Sequence, residues 1–435
     1  MVFSPPTHFT LFKQRRQKFI DNIKQSYGAS KGVVIISAGF EAERLAFRQE
    51  SSFYYLTGIV EPAALLFLCL DGREILYLPR FSTARDQWVS VLLSGPDDAR
   101  KVDVDRIAYL GKAVAGYSFK PIFTRENYEN LLFDLASIVD GHAKVFTLLD
   151  RNNPGYFMHI NLYERFCEWL PGLEECTEDI SHLLHQDRRQ KDAYEVDLIY
   201  KAVQVTNMAQ RAAATMISPG KYEYEIQVAV ECVFTHVAGA IPAFPSIVAT
   251  GKNTTILHYT QRNASLGHND LVVVDIGAEY GFYAADLTRT YPASGKFTDR
   301  QREVYTAVLE TQAYIESIAV PGMYLKNAQN PEQSLHHLAV KFLEKKGFAQ
   351  YFCHGIGHYL GLDVHDVGDY QTPLQTGDVF TIEPGIYIAA ESLGVRIEDD
   401  YVMADDGAVC LSYELPKQPD DIEKMMQNHH ASVAT

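Results

Sequence analysis

The sequence predicts an α+β protein in two parts: an N-terminal α/β domain, then a larger domain in which one helix–helix–strand unit occurs twice. Three observations lead there. Strand-like and helical runs alternate through the first part, a polar and charged stretch follows it, and beyond that stretch four features recur in the same order at a nearly constant offset. The chain of 435 residues can bury full-sized cores in two or three domains, and 47% hydrophobic with 22% charged residues excludes disorder on the scale of the chain.

In the first part, residues 32–37, 63–70, 74–78 and 144–148 are short apolar runs bounded by turn residues, which is the signature of strands. The polar stretch at 174–192 suits a surface connection. The boundaries expected are therefore an N-terminal domain at 1–184, a second domain at 185–425 and a polar tail at 426–435, where His429 and His430 should fray. The first sixteen residues end in Lys13-Gln14-Arg15-Arg16 without an apolar stretch before them, and the run at 63–70 is too short to span a bilayer. A cytoplasmic, soluble protein is expected. Six scattered cysteines with no C-x-x-C pair point to reduced, mostly buried thiols. A net charge of −16 disfavours binding to nucleic acid or to anionic membranes, both of which rely on clustered Lys and Arg.

The second part repeats itself. A helical stretch over 192–217 stops at Pro219-Gly220-Lys221-Tyr222, and another over 298–318 stops at Pro321-Gly322-Met323-Tyr324. Thr298 followed by Gln301 forms a capping box at the start of the latter. Each stop leads into a further helical stretch ending at a glycine, Gly239 or Gly347, the residue that most easily adopts a left-handed cap. Next come His258 and His365 in extended surroundings, then a strand whose last inward residue is a carboxylate, Asp275 or Glu383. The offsets between these pairs are 102, 108, 107 and 108 residues, which argues for two copies related by a pseudo-twofold axis.

Those carboxylates carry the chemistry. Residues two apart on a strand share a face, so Asp275 ends an apolar strand pointing inward, and a hairpin at Gly281 returns Asp286 beside it. The second copy poses the same problem with Glu383 and, after another hairpin, Glu398. Buried carboxylates side by side repel unless a proton or a cation intervenes. The segment 354–366 supplies His354, His358 and His365; the glycines between the first two argue against a helix, and an extended strand would point His354 and His358 the same way. One imidazole with four carboxylates matches two divalent cations, and an oxygen-rich set favours Mn, Co or another hard-to-borderline ion over a thiolate zinc site. Two such ions about 3.5–4 Å apart can share a water and deliver hydroxide to a carbonyl carbon, which implies hydrolysis of an amide or ester. Other chemistries lack their motifs: no Walker loop, H-E-x-x-H or G-x-S-x-G occurs, and Gly355-x-Gly357 lacks the third glycine of a dinucleotide loop.

Taken together, Ile256-Leu257-His258-Tyr259, Val274-Asp275-Ile276-Gly277, Ala285-Asp286-Leu287-Thr288-Arg289-Thr290, the 354–366 block, Thr381-Ile382-Glu383-Pro384-Gly385 and Val395-Arg396-Ile397-Glu398-Asp399 resemble the catalytic domain of the "pita-bread" metallopeptidases, specifically the aminopeptidase P and prolidase group. The segment at 47–58, followed by Glu61-Pro62, resembles the creatinase-like N-terminal domain of the same group. The resemblance implies a dinuclear centre, typically of manganese, held by Asp275, Asp286, His358, Glu383 and Glu398. Glu383 would also pass the proton of the shared water to the leaving nitrogen. His258 and His365 would contact substrate and stabilise the oxyanion, with His354 and Arg396 supporting the site. Trp88 matches an aromatic that in the group can wall a neighbouring subunit's site, with an ordinary core or interface role as the other reading.

The activity implied is that of a Xaa-Pro aminopeptidase acting on proline-containing peptides, with a Xaa-Pro dipeptidase as the alternative. The short connection from His365 to Glu383 favours the aminopeptidase, since many eukaryotic prolidases carry an insertion there. A nonenzymatic pita-bread binding module is a more distant alternative, because all five ligand positions hold competent residues. The resemblance also implies a homo-oligomer, dimer or tetramer.

Overall fold

The computed structural model describes residues 9–42, 46–93, 95–120, 123–238 and 240–427. It is α+β throughout and divides into two compact units between Arg188 and Arg189.

The N-terminal unit is built on one mixed sheet. In chain order its elements are α1 (Phe9–Tyr27), β1 (Gly32–Ser37), α2 (Ser51–Thr57), β2 (Leu65–Cys69), β3 (Glu74–Leu78), β4 (Arg106–Tyr109), α3 (Glu129–Asp140), β5 (Lys144–Thr147), α4 (Phe157–Trp169), β6 (Thr177–Asp179) and α5 (Ser181–Arg189). The strand order is β4-β3-β2-β1-β5-β6. The antiparallel meander β1-β2-β3 is flanked by parallel partners on both sides. Burial explains the strand composition: every residue of β2 is buried, so its sequence Leu-Leu-Phe-Leu-Cys shows no alternation. The less apolar edge strands β4 and β6 escaped sequence analysis. The charged stretch read as a surface connection contains the boundary between the two units and is exposed or half-buried over 174–179, but not at its end. Its end forms α5, and Asp187, Arg188, Arg189 and Lys191 are all buried.

The second unit opens with α6 (Ala193–Met216) and α7 (Glu223–Ala238) and continues through β7 (Ile241–Pro242), β8 (Ile247–Thr250), β9 (Leu271–Ile276), β10 (Ala278–Tyr280), β11 (Tyr283–Ala284) and β12 (Leu287–Pro292). A second helix pair, α8 (Asp299–Ile318) and α9 (Leu335–Lys345), leads to β13 (Val379–Ile382), β14 (Gly385–Ile388), β15 (Leu393–Arg396), β16 (Asp399–Ala404), β17 (Gly407–Cys410) and α10 (Pro419–Gln427). The repeated construction predicted from sequence is visible in detail. Both α6 and α8 start with a capping box, Asp192 with Glu195 and Thr298 with Gln301. Both turns after these helices place a glycine in left-handed backbone, Gly220 and Gly322. Each helix also sends one buried glutamine to the sheet. Gln210 donates to the carbonyls of Val274 and Leu287 at 3.0 and 2.8 Å, and Gln312 donates to those of Ile382 and Ile397 at 3.0 and 3.4 Å. Gly347 ends the α9 region with φ +77°, as expected of a left-handed cap. Its counterpart Gly239 lies outside the described residues, as do His429 and His430; the tail placed at 426–435 shares its first two residues with α10.

The core of this unit joins α6–α9 to one face of the strands. Val272, Val274 and Ile276 belong to it, so Val273 and Asp275 point to the opposite face. All six cysteines are free, but only Cys69 is buried and Cys232 and Cys353 are exposed, so the expectation of mostly buried thiols fails.

Candidate metal centre

Two hairpins bring the carboxylates together. Tyr280 pairs with Tyr283 across Gly281 and Phe282, both with positive φ, a two-residue turn whose twist suits a tight hairpin. Close approach holds the hairpin to the strand: a side chain at Gly277 would put its Cβ 1.7 Å from the Ala285 carbonyl oxygen. The chain then enters β12, where Thr288 stands opposite Asp275. In the second copy Ile382 pairs with Asp399, so the next residues along each strand, Glu383 and Glu398, face each other. The register thus makes Thr288 the counterpart of Glu398 and Arg396 the counterpart of Asp286. The copies repeat the backbone and diverge in side chains.

The segment carrying His354 and His358 is irregular and not the extended strand expected. It nevertheless runs along β13, through hydrogen bonds from Glu383 N–H to Ile356 O, Thr381 N–H to His358 O and Leu360 N–H to Val379 O. Gly357 permits this, because a Cβ there would lie 1.9 Å from the Thr381 carbonyl oxygen. His258 and His365 lie in a turn and a bend, not in extended chain.

Asp275, Asp286, Glu383, Glu398, Arg396, His258, His354, His358 and His365 all line one cavity of about 560 Å³. The His358 Nε2 atom lies 3.4 Å from Asp286 Oδ2, 3.8 Å from Glu383 Oε1 and 3.8 Å from Glu398 Oε1. Its Nδ1 is 3.1 Å from the Tyr359 carbonyl oxygen, which only accepts, so Nδ1 carries a proton and Nε2 is the ring atom turned to the carboxylates. Ligand atoms of Asp286, His358 and Glu398 come within one metal-sized cluster. Arg396 places Nη2 2.6 Å from Asp275 Oδ2 and donates to Tyr387 Oη at 2.9 Å. The Tyr387 hydroxyl meets His354 Nε2 at 2.9 Å, and His354 Nδ1 faces Gly355 O at 2.8 Å and Glu383 Oε2 at 3.6 Å. The His365 ring sits edge-on to that of His358, with centroids 4.3 Å apart.

Electrostatically the cluster asks for positive charge. Burial and then the neighbouring carboxylates, Asp275 first, push Asp286 far above the usual carboxylate range; burial and then Asp286 do the same to Glu398. Burial raises Glu383 to about 7 against the pull of His358 and Arg396. Burial followed by Arg396 lowers His354 to about 3, and desolvation followed by His358 lowers His365 to about 4. Asp275 Oδ1 and Asp286 Oδ1 are buried and meet no hydrogen-bond donor among the described residues. Clustered oxygens without donors, beside an imidazole nitrogen turned towards them, fit divalent cations.

Several contributors were missed in the sequence. Thr288 donates to Glu398 Oε2 at 2.7 Å and accepts from Arg396 Nε at 3.2 Å; its position two residues after Asp286 was the available signal. Asp400 accepts the Asp286 N–H at 3.0 Å, and Arg289, wholly buried, braces the Glu398 carbonyl and Asp399. Tyr387 reaches the site only through the β14–β15 pairing and left no signal. Trp88, in the N-terminal unit, is 60% exposed and stacks on Tyr117 with ring centroids 4.8 Å apart, which excludes the core reading.

A cation-demanding carboxylate–histidine cluster on paired strands, beneath two helix pairs, defines a metallohydrolase. The profile of metallopeptidase family M24 matches residues 197–405, and that of the aminopeptidase P N-terminal domain matches 12–116. The chain is 34% identical over 408 residues to Xaa-Pro aminopeptidase of Haemophilus influenzae, covering 87% of this chain and 88% of that one. It is 30% identical to the Escherichia coli Xaa-Pro aminopeptidase over 95% of this chain and 97% of that one. A solved structure of a variant E. coli aminopeptidase P in complex with substrate superposes with a TM-score of 0.82 at 27% identity, over 97% and 99% of the two chains. This chain belongs to metallopeptidase family M24, in its aminopeptidase P branch.

Proposed function

We propose that this protein hydrolyses the bond between an N-terminal residue and a following proline, using two divalent ions, manganese first among them, held by Asp275, Asp286, His358, Glu383 and Glu398. The observation that carries the reading is the meeting of four carboxylates and the Nε2 atom of His358 in one cavity, with two buried oxygens lacking donors among the described residues. When bound, such ions supply Lewis-acid polarisation of the scissile carbonyl and an acidified water. The chain's own groups do the rest. Glu383, raised towards neutrality by burial, takes the proton of the attacking water and passes it to the proline nitrogen. His365 and His258 donate to the developing oxyanion. Arg396 steadies Asp275, and its hydrogen bond to Tyr387 keeps that hydroxyl on His354. A tertiary amide offers no N–H to grip, so a site acting on its carbonyl and nitrogen suits the X-Pro bond.

The test is hydrolysis of Ala-Pro against Ala-Pro-Ala after chelation and return of manganese. Cleavage of the tripeptide, restored by the metal, is expected; cleavage of the dipeptide alone would overturn the aminopeptidase in favour of the dipeptidase. We also infer residence in the cytoplasm, supported by six free cysteines, and a homo-oligomer. Among the described residues no helix is long and apolar enough to cross a membrane.

A further inference from the structure

The wall of the metal cavity carries a second cation. Arg396 is held by Asp275, but Lys326 also lines the cavity and has no ion-pair partner among the described residues. Its backbone is fixed on both sides. Leu325 and Asn327 are buried; the Leu325 carbonyl accepts from His336 N–H at 3.1 Å, and the Asn327 N–H donates to Ser334 Oγ at 3.0 Å. Lys326 itself is exposed, so its ammonium is offered to the cavity from a rigid base.

Aromatic rings connect its surroundings to the carboxylates. Burial, then the nearby Lys326 ammonium, lowers His336 to about 4. The His336 ring packs on Phe352 with centroids 5.6 Å apart, Phe352 meets His354 edge-on at 5.0 Å, and His354 faces Glu383 at 3.6 Å. Lys326 thus shares the cavity with His354 and Glu383. A free peptide bound at Glu383 brings one anion that every such substrate has, its C-terminal carboxylate, and Lys326 is a cavity cation not already paired with a carboxylate among the described residues. An extended chain advances about 3.3–3.6 Å per residue, so only a short peptide keeps that carboxylate within a cavity of about 560 Å³.

We propose that Lys326 is the subsite for the C-terminal carboxylate of short substrates, selecting free peptides over C-terminally blocked ones. The inference rests on the Xaa-Pro reading. It predicts that Ala-Pro-Ala-Ala has a kcat/KM about tenfold above that of its C-terminal amide. In K326Q this ratio should fall to within about twofold, and in K326E it should invert. An acid-to-amide ratio unchanged by K326Q would overturn the proposal. So would full recovery of the tenfold advantage by a C-terminal amide with glutamate as its last residue, since the site would then read any carboxylate. Calorimetric titration of Pro-Ala-Ala and its amide into the manganese-loaded protein reads the same preference without turnover. Preference lost in K326Q by calorimetry, with no peptide hydrolysed, would count against the assigned reaction and leave the subsite standing.

Discussion

Burial first, and then Asp275, raises the proton affinity of Asp286, and burial first, then Asp286, raises that of Glu398. In the cation-free protein this is repulsion that an isosteric neutral residue relieves. Asp286→Asn should therefore raise the melting temperature of the chelated protein by a few degrees, about 1–2 kcal/mol, while abolishing hydrolysis and most of the stabilisation given by added manganese. A variant that melts lower than wild type in chelator would make Asp286 a structural residue. A second buried residue gives a pH signature. His159 in α4 meets Ser37 N–H through Nδ1 at 3.2 Å and Thr147 Oγ1 through Nε2 at 2.7 Å, and burial lowers its pKa to about 4. Above its unfolded value of about 6.5 both states are neutral and stability is full. Between there and about 4 only the unfolded chain takes up the proton, so stability is lost as the pH falls, by up to about 3 kcal/mol. Urea denaturation at pH 7 and pH 4.5 should show a smaller loss in His159→Gln than in wild type; equal losses would refute the assignment.

At the scale of elements, the two glutamines that tie helix to sheet are not equal. Gln210 Oε1 accepts from Tyr291 Oη at 2.9 Å, whereas Gln312 Oε1 is buried without a donor among the described residues. Replacing Gln210 by leucine removes the donor to two carbonyls and the nearer acceptor of the Tyr291 hydroxyl, which keeps only the Gln210 backbone carbonyl at 3.3 Å, so Gln210→Leu should cost about 2–3 kcal/mol and Gln312→Leu about half that, measured by urea denaturation. The reverse order would show that the repeated bonds do not carry the load assigned to them. Helices α6 and α8 and strands β9 and β13 were legible in the sequence because caps, Pro-Gly stops and apolar runs are local signals. Helix α5 was not, because the partners of the charges around it lie far along the chain: Arg189 meets Asp378 at 2.5 Å and Lys191 meets Asp366 at 2.8 Å. A run of charges has no local mark that distinguishes it from a solvated surface.

For the molecule as a whole, a cation bound only by the folded second unit must stabilise that unit by mass action, about 2.7 kcal/mol at a hundredfold excess over Kd. Calorimetric scans with and without chelator should show a manganese-dependent transition, lost in Glu398→Gln, alongside one that manganese leaves in place. A single transition insensitive to the metal would argue against the centre. The order of ligand-type residues, the duplication and the α+β class were determined by the sequence itself, since each is written in local periodicity, capping and spacing. The tertiary structure decided the pairings: that Thr288 faces Asp275 while Glu398 faces Glu383, that Arg396 takes the place corresponding to Asp286, and that Tyr387 and Lys326 share the cavity. Those depend on strand register and on contacts across 100 residues or more, where a slip of one position would turn every side chain to the other face.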